Sequence, residues 1–260
     1  MKTTTSGTIV GLCLGLALGF ATPAANAQMA EVKEKPRMYT YQASWEIPRA
    51  RWAEYAKGNP TSDKILDKAL SSGSLVGYGG DENLIHQPDG MTHDGWWSAM
   101  SMAGVLNILD EMYKSGSAAS PVFESATKHS DGIYVSRYYN WRPGTYKGAY
   151  THTAVYKLKA DAPNDAVTML SKTFIVPLME KLLADGSIVE YEIDEEAIHT
   201  QSPDYFFLDY ITATAEGQDK VSAALTEALK DSPLAGPAFG SMVDFSGHRD
   251  FLSRTNAVYK

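Results

Sequence analysis

The sequence predicts an α+β fold: two tandem copies of one strand-helix-strand-strand-helix-strand unit, packed sheet to sheet. Three observations predict it. Residues 73–86, GSLVGYGGDENLIH, return at 186–199 as GSIVEYEIDEEAIH, with eight identities and no gap. The same 113-residue offset keeps the flanking segments in step, which a chance match of two short stretches would not do. Strand-like alternation and amphipathic helical spacing also follow one another in the same order in both copies.

In the first copy, YTYQASWEI (39–47) alternates as a strand, and further strands are expected near 74–86, 93–100 and 132–141. Its helices fall within 48–72 and 102–128, broken at Gly58-Asn59-Pro60 and Ser115-Gly116-Ser117. The second copy has strands near 150–159, 187–199, 205–214 and 248–259, and helices within 163–185 and 217–231. DKILDKALSSG (63–73) lies over VPLMEKLLADG (176–186), each an amphipathic helix end closed by glycine at the C′ position. Pro48 and Pro163 suit first-turn positions, and Pro177 is expected to kink its helix. The repeats therefore occupy 39–141 and 149–260, joined by the turn-rich linker RPGTYKG (142–148).

The first 27 residues read as a targeting segment: Lys2, a Thr/Ser stretch, an apolar core from Ile9 to Phe20, and a small-residue cleavage signal at Ala25-Asn26-Ala27. That core is too short for a comfortable membrane span, so no stable anchor is expected. Secretion or a periplasmic location follows, with 28–38 as a flexible leader. Cys13, the one cysteine of the 260 residues, lies inside the targeting segment. Cleavage would leave no thiol for a disulfide, a nucleophile, an iron–sulfur cluster or a cysteine-ligated zinc. It would also remove Lys2 and no acid, moving the formal charge from −8 to −9. Such a field, with no local basic cluster, excludes nucleic acid as a partner.

The element order is the split βαβ, or ferredoxin-like, arrangement, which leaves one sheet face bare. Duplication covers that face with the sister sheet. Here the sequence resembles the dimeric α/β-barrel superfamily in its single-chain, tandem form. The resemblance covers nearly the whole mature chain and rests on element order and duplication, with no catalytic motif to carry over. It implies a small-molecule protein from a group that includes cofactor-free monooxygenases, haem-dependent enzymes, small cyclases and dehydratases, and stress-related binding proteins. It also implies a ligand cavity between a sheet and its own helices.

The two copies differ in ways that suggest a site. A hairpin with loop 87–92 would set His86 opposite His93, with Glu82 opposite Trp97 and Tyr78 on the same side. Alternation directs this side toward the helices and sends Asp94 and Trp96 to the other face. His199 matches His86, whereas His93 has no counterpart, which makes it the preferred functional histidine. Gly77, Gly79 and Gly80 around Tyr78 signal either a bulge or room for a ligand. Arg137 is a candidate for a carboxylate or phenolate, an ion pair with a surface acid being equally open. His152 reads as a satisfied, half-buried histidine.

HExxH, GxSxG, Walker and GxGxxG patterns are missing from the sequence. The leading expectation is an enzyme of oxygenase, isomerase or lyase type acting on a small hydrophobic or aromatic molecule. It would use no organic cofactor, with His93 and His86 as acid–base groups and Trp97, Tyr78, Glu82 and Arg137 lining the pocket. The alternatives are a non-catalytic carrier of such a molecule and a protein binding haem or a divalent metal through His86, His93 or His199. Monomer and homodimer both remain open.

Overall fold

The computed structural model describes residues 32–86, 90–200, 204–231 and 235–260. The targeting segment lies outside them. The first repeat runs β1 (Met38–Glu46), α1 (Trp52–Tyr55), α2 (Pro60–Ser72), β2 (Gly77–Asn83), β3 (His93–Ala99), α3 (Met102–Ser115), α4 (Pro121–Glu124) and β4 (Lys128–Trp141). The second runs β5 (Gly144–Leu158), α5 (Ala166–Leu170), α6 (Val176–Asp185), β6 (Glu190–Glu196), β7 (Tyr205–Thr212), α7 (Ala215–Asp231), α8 (Ala235–Met242) and β8 (Val243–Tyr259).

Local chemistry sets the helix ends. Asn59 caps α2 by accepting from the Thr61 and Ser62 amides at 3.0 and 3.4 Å, and Pro60 supplies the first turn. Gly73 and its counterpart Gly186 close α2 and α6 with φ of 79° and 81°, a left-handed conformation that a Cβ disfavours. Ahead of Pro177 the helix widens into a π-turn over Ser171–Ile175, which absorbs the proline's missing donor.

Among the described residues eight strands form one closed antiparallel barrel in the order β1-β3-β2-β8-β5-β7-β6-β4. Within each repeat the order is that of a split βαβ sheet. The two sheets face each other across the barrel and are sealed along their edges by the β2–β8 and β4–β6 ladders. Register repeats as well: Tyr78 pairs with Trp97 and Glu82 with His93, while Tyr191 pairs with Tyr210 and Glu195 with Phe206.

This register corrects the expected hairpin by four residues in both repeats, because the chain leaves the ladder at Asn83 and the loop begins at Leu84. An even slip leaves every side chain on its assigned face. The first strands align Tyr39 with Tyr150, two residues off the 113 offset, since these residues oppose Ala99 and Thr212. The linker shrinks to Arg142-Pro143, with β5 already under way at Gly144.

The leader is not slack over its described part. The Lys35 amide bonds the Arg137 carbonyl at 2.8 Å, Tyr139 donates to the Pro36 carbonyl at 2.7 Å, and Val32 packs on the second-repeat core.

Each sheet buries its outer face under its own helices. In the first repeat Tyr41, Trp97, Val105, Ile108 and Met112 form this core; in the second it is Leu170, Met179, Leu182, Tyr191, Phe206 and Val221. One end of the barrel is filled by Trp96, Tyr259, Ile211 and Val189, with Trp141 against them. Gly79 makes this filling possible: a Cβ there would sit 2.5 Å from the Trp96 ring, so of the two alternatives, bulge or ligand room, the room is taken by the protein's own indole.

Candidate functional site

His93 opens β3, between Trp45 of β1 and Glu82 of β2. Pro48 turns the chain after β1, and α1 then lies over the strand ends. It is pinned there by Trp52 Nε1 donating to the Ile47 carbonyl at 2.9 Å and by the Tyr55 hydroxyl donating to the Asp94 carbonyl at 3.1 Å. The Tyr55 ring centroid lies 4.2 Å from that of His93, and Trp52 presents itself edge-on at 5.3 Å. Beyond them Phe123 stacks on Trp45 at 4.4 Å. The imidazole is 1% exposed.

Burial, followed by the nearby His86, pushes the His93 pKa down to about 4, so the ring is neutral at physiological pH. Its Nδ1 lies 2.9 Å from Thr92 Oγ1, which also bonds the Trp45 carbonyl at 3.2 Å. With the threonine hydroxyl donating to that carbonyl, Nδ1 donates to the threonine and Nε2 is left as the basic nitrogen.

The other expected residues disperse. His86 is exposed and reaches the site through Trp52, whose ring lies 5.4 Å from it; the two imidazoles flank that indole and do not face each other across a ladder. Trp97 stacks on Tyr41 at 4.3 Å and donates to the Val105 carbonyl at 3.2 Å, which makes it a core side chain. Tyr78 donates to Asp67 on α2 at 2.5 Å, away from His93. Glu82, expected opposite Trp97, is the ladder partner of His93. Arg137 sits at a β4 bulge and pairs with Glu195 at 2.6 Å and Glu34 at 3.6 Å, the surface alternative. The walls around His93 are therefore Trp52 and Tyr55, two residues that sequence reasoning left inside an unassigned helix.

A second element was also missed. His129-Ser130-Asp131 on β4 and His248-Arg249-Asp250 on β8 occupy equivalent places. His129 lies 3.1 Å from Asp131 and His248 lies 3.2 Å from Asp250. His129 stacks on Trp45 at 5.3 Å, and His248 on Tyr156 at 4.6 Å. Asp131 accepts from Tyr41 at 2.6 Å, whereas Asp250 meets His152 at 3.0 Å. The repeated His-x-Asp was present in the sequence, but at an offset of 119 instead of 113.

Inside the barrel, opposite the aromatic plug, lies a cavity of about 260 Å³ walled by Gln42, Ser44, Asp81, Asp94, Asp194 and Asp209, among others. Glu190 is buried and Glu192 half-buried on the same inward side of β6. Ser44, Gln42 and Asn83 hydrogen-bond Asp94; Trp96 and Thr151 bond Asp81; Ser136 bonds Asp194; and Thr153 bonds Asp209. Desolvation raises all six carboxyl groups, Asp81 and Asp194 to about 7, and mutual repulsion adds to it for most of them. The interior accommodates its acids through these hydrogen bonds and through a raised affinity for protons.

No family model matches the sequence, and no curated protein matches it. Solved structures do match. A proposed monooxygenase from Lactobacillus acidophilus NCFM superposes with a TM-score of 0.60 at 10% identity, over 86% of this chain and 97% of its own. A proposed monooxygenase from Fusobacterium nucleatum gives 0.62 at 7% identity, over 87% and 95%. An anthrone oxidase-like protein gives 0.52 at 11% identity, over 89% and 95%. The chain has the dimeric α/β-barrel fold. Both halves of its barrel come from one polypeptide.

Haem, which some members of that superfamily use, does not fit these residues. The His93 ring is covered by Tyr55 and Trp52 and its Nδ1 is engaged, while His86 and His199 are exposed loop residues. The barrel cavity is walled by carboxyl, amide and hydroxyl groups and by no histidine. Among the described residues no group of three His, Cys, Asp or Glu side chains is arranged to hold a metal ion.

Proposed function

We propose that the protein is an exported oxygenase-type enzyme that works without an organic cofactor on a small hydrophobic or aromatic molecule bound in the first repeat. One observation carries the reading: an imidazole kept neutral by burial among aromatic rings, with one nitrogen anchored on Thr92. A neutral base in apolar surroundings removes a weakly acidic proton and leaves an electron-rich anion whose reaction with dioxygen needs no further group. Trp52, Tyr55 and Phe123 offer such a substrate flat surfaces, and His86, on the solvent side of Trp52, orients it at the rim. The solved neighbours described as monooxygenases and as anthrone oxidase-like support this class of chemistry. The leading 27 residues support export to the periplasm or medium, and a monomer suffices for the barrel.

Anthrone is a suitable probe. Loss of its ring-methylene proton to His93 and reaction with one O2 gives anthraquinone and one water. Oxygen uptake with anthrone should fall at least 100-fold in His93→Phe. Because the base is neutral above about pH 4, kcat/KM should be flat from pH 5 upward on the enzyme side and drop below pH 4. Turnover unchanged in His93→Phe would remove this residue from the chemistry.

A further inference from the structure

We infer that the second repeat carries an acid–base site of its own, centred on His248 and Asp250, for a small aromatic anion such as a phenolate or enolate. His248 Nδ1 is 2.8 Å from the Val155 carbonyl, which can only accept, so Nδ1 carries a hydrogen and Nε2 is the nitrogen that exchanges a proton. Nε2 faces Asp250 Oδ2 at 3.2 Å, an ion-pair distance outside hydrogen-bond geometry, so a proton taken up at Nε2 is stabilised by the aspartate.

The other carboxylate oxygen, Oδ1, lies 3.0 Å from His152 Nε2, and His152 Nδ1 lies 2.8 Å from the Tyr210 hydroxyl, which is also 3.2 Å from Gln218 Oε1. Tyr210, His152, Asp250 and His248 thus form one continuous chain across β7, β5 and β8. In the first repeat the equivalent places hold Trp97, Tyr41, Asp131 and His129, where an indole replaces the phenol and ends the chain. The second repeat extends the shared His-x-Asp pair into a relay, and the first does not.

The relay opens to solvent. His152 and His248 are each 26% exposed at the side chain and Asp250 is 52% exposed. Around His248 three rings form a corner: Tyr156 stacked at 4.6 Å, Phe245 edge-on at 6.4 Å, and Phe239 between them, 5.2 Å from Tyr156 and 6.0 Å from Phe245. Phe245 is 55% exposed, a large apolar surface beside a proton-bearing imidazole. A flat aromatic anion meets both demands: its ring covers Phe245 and its oxygen shares a proton with His248 Nε2, the nitrogen not held by the Val155 carbonyl, while Asp250 and His152 redistribute the charge.

The test is titration of the intact chain with 4-nitrophenol, followed at the histidine ring resonances and by the probe's visible absorbance. The His152 and His248 signals should shift together and saturably. Asp250→Asn should abolish that shift, and His248→Gln should weaken it at least tenfold. Phe245→Ser, at a ring 55% exposed, should weaken binding severalfold even if Asp250→Asn fails to fold. Signals at His152 and His248 that never move, or binding unaffected by Phe245→Ser and His248→Gln, would overturn the inference. The His93 signal reports separately on the first-repeat site, so the two readings fail independently.

Discussion

Position by position, the helix-covered faces of the two repeats share a scaffold and diverge in where the polar groups sit. The first places His93 where the second has Phe206, and stacks Tyr41 on Trp97 where the second stacks His152 on Tyr210. Its imidazole is sealed under Trp52 and Tyr55, and burial strips it of its proton. The second repeat has no imidazole at that depth and assembles its histidines at the rim, on an aspartate. Depth separates the two settings: burial holds the imidazole beneath the helix neutral, while those at the edge lie against an aspartate.

The largest effect that would break this comparison concerns Trp97. If the first-repeat face is packed core around a single buried base, Trp97→Ala removes a stacked, hydrogen-bonded indole and should cost about 3–5 kcal/mol in urea unfolding. A cost under about 1 kcal/mol would mean that the indole borders a cavity instead.

Next comes the barrel interior that both repeats share. The six inward carboxyl groups have folded pKa values above their unfolded ones, so between about pH 4 and 7 the folded state binds more protons than the unfolded state. Stability then falls as pH rises through that window. His93 works in the opposite sense, because its folded pKa lies below its unfolded value and its contribution is lost as pH falls toward 4. Six acids outweigh one imidazole, so the melting temperature should rise on acidification from pH 8 to 5. Asp81→Asn should flatten that slope by up to about 1.4 kcal/mol per pH unit. A melting temperature that drops steadily below pH 7 would contradict the protonated interior.

The smallest effect sharpens the comparison most. His93→Phe gives the first repeat the residue its sister carries. At pH 7 the change in stability should stay within about 1 kcal/mol, since an apolar ring replaces a neutral one of similar size. A loss of several kcal/mol would show that the Thr92 hydrogen bond, and not catalysis, accounts for the histidine.

Much of this was readable beforehand. The duplicated stretch, the breaks at Gly58-Asn59-Pro60 and Ser115-Gly116-Ser117, and the period-two sorting of Trp97 from Trp96 follow from local chemistry, and the four-residue slip left that sorting intact. The slip escaped notice because Leu84, Ile85 and His86 continue the alternation after the ladder has ended. Trp52 and Tyr55 were hidden because α1 has four residues, too few for a periodic signal. Glu190, Glu192 and Asp194 spell a face that ordinarily meets water; only closure of the barrel, a long-range event, turns it inward. The glycines around Tyr78 mark close approach, but sequence does not say whether a ligand or the Trp96 ring does the approaching.

The two seams, β2 against β8 and β4 against β6, give every strand a neighbour on each side. Either half alone would present two raw backbone margins to any passing chain. The link at Arg142-Pro143 holds the right partner at high local concentration, so mate selection never depends on protein abundance. Fusion also releases each half from matching the other: a residue that suits one helix-covered face need not appear twice, which is how an imidazole can sit under one helix layer where the other has a phenyl ring.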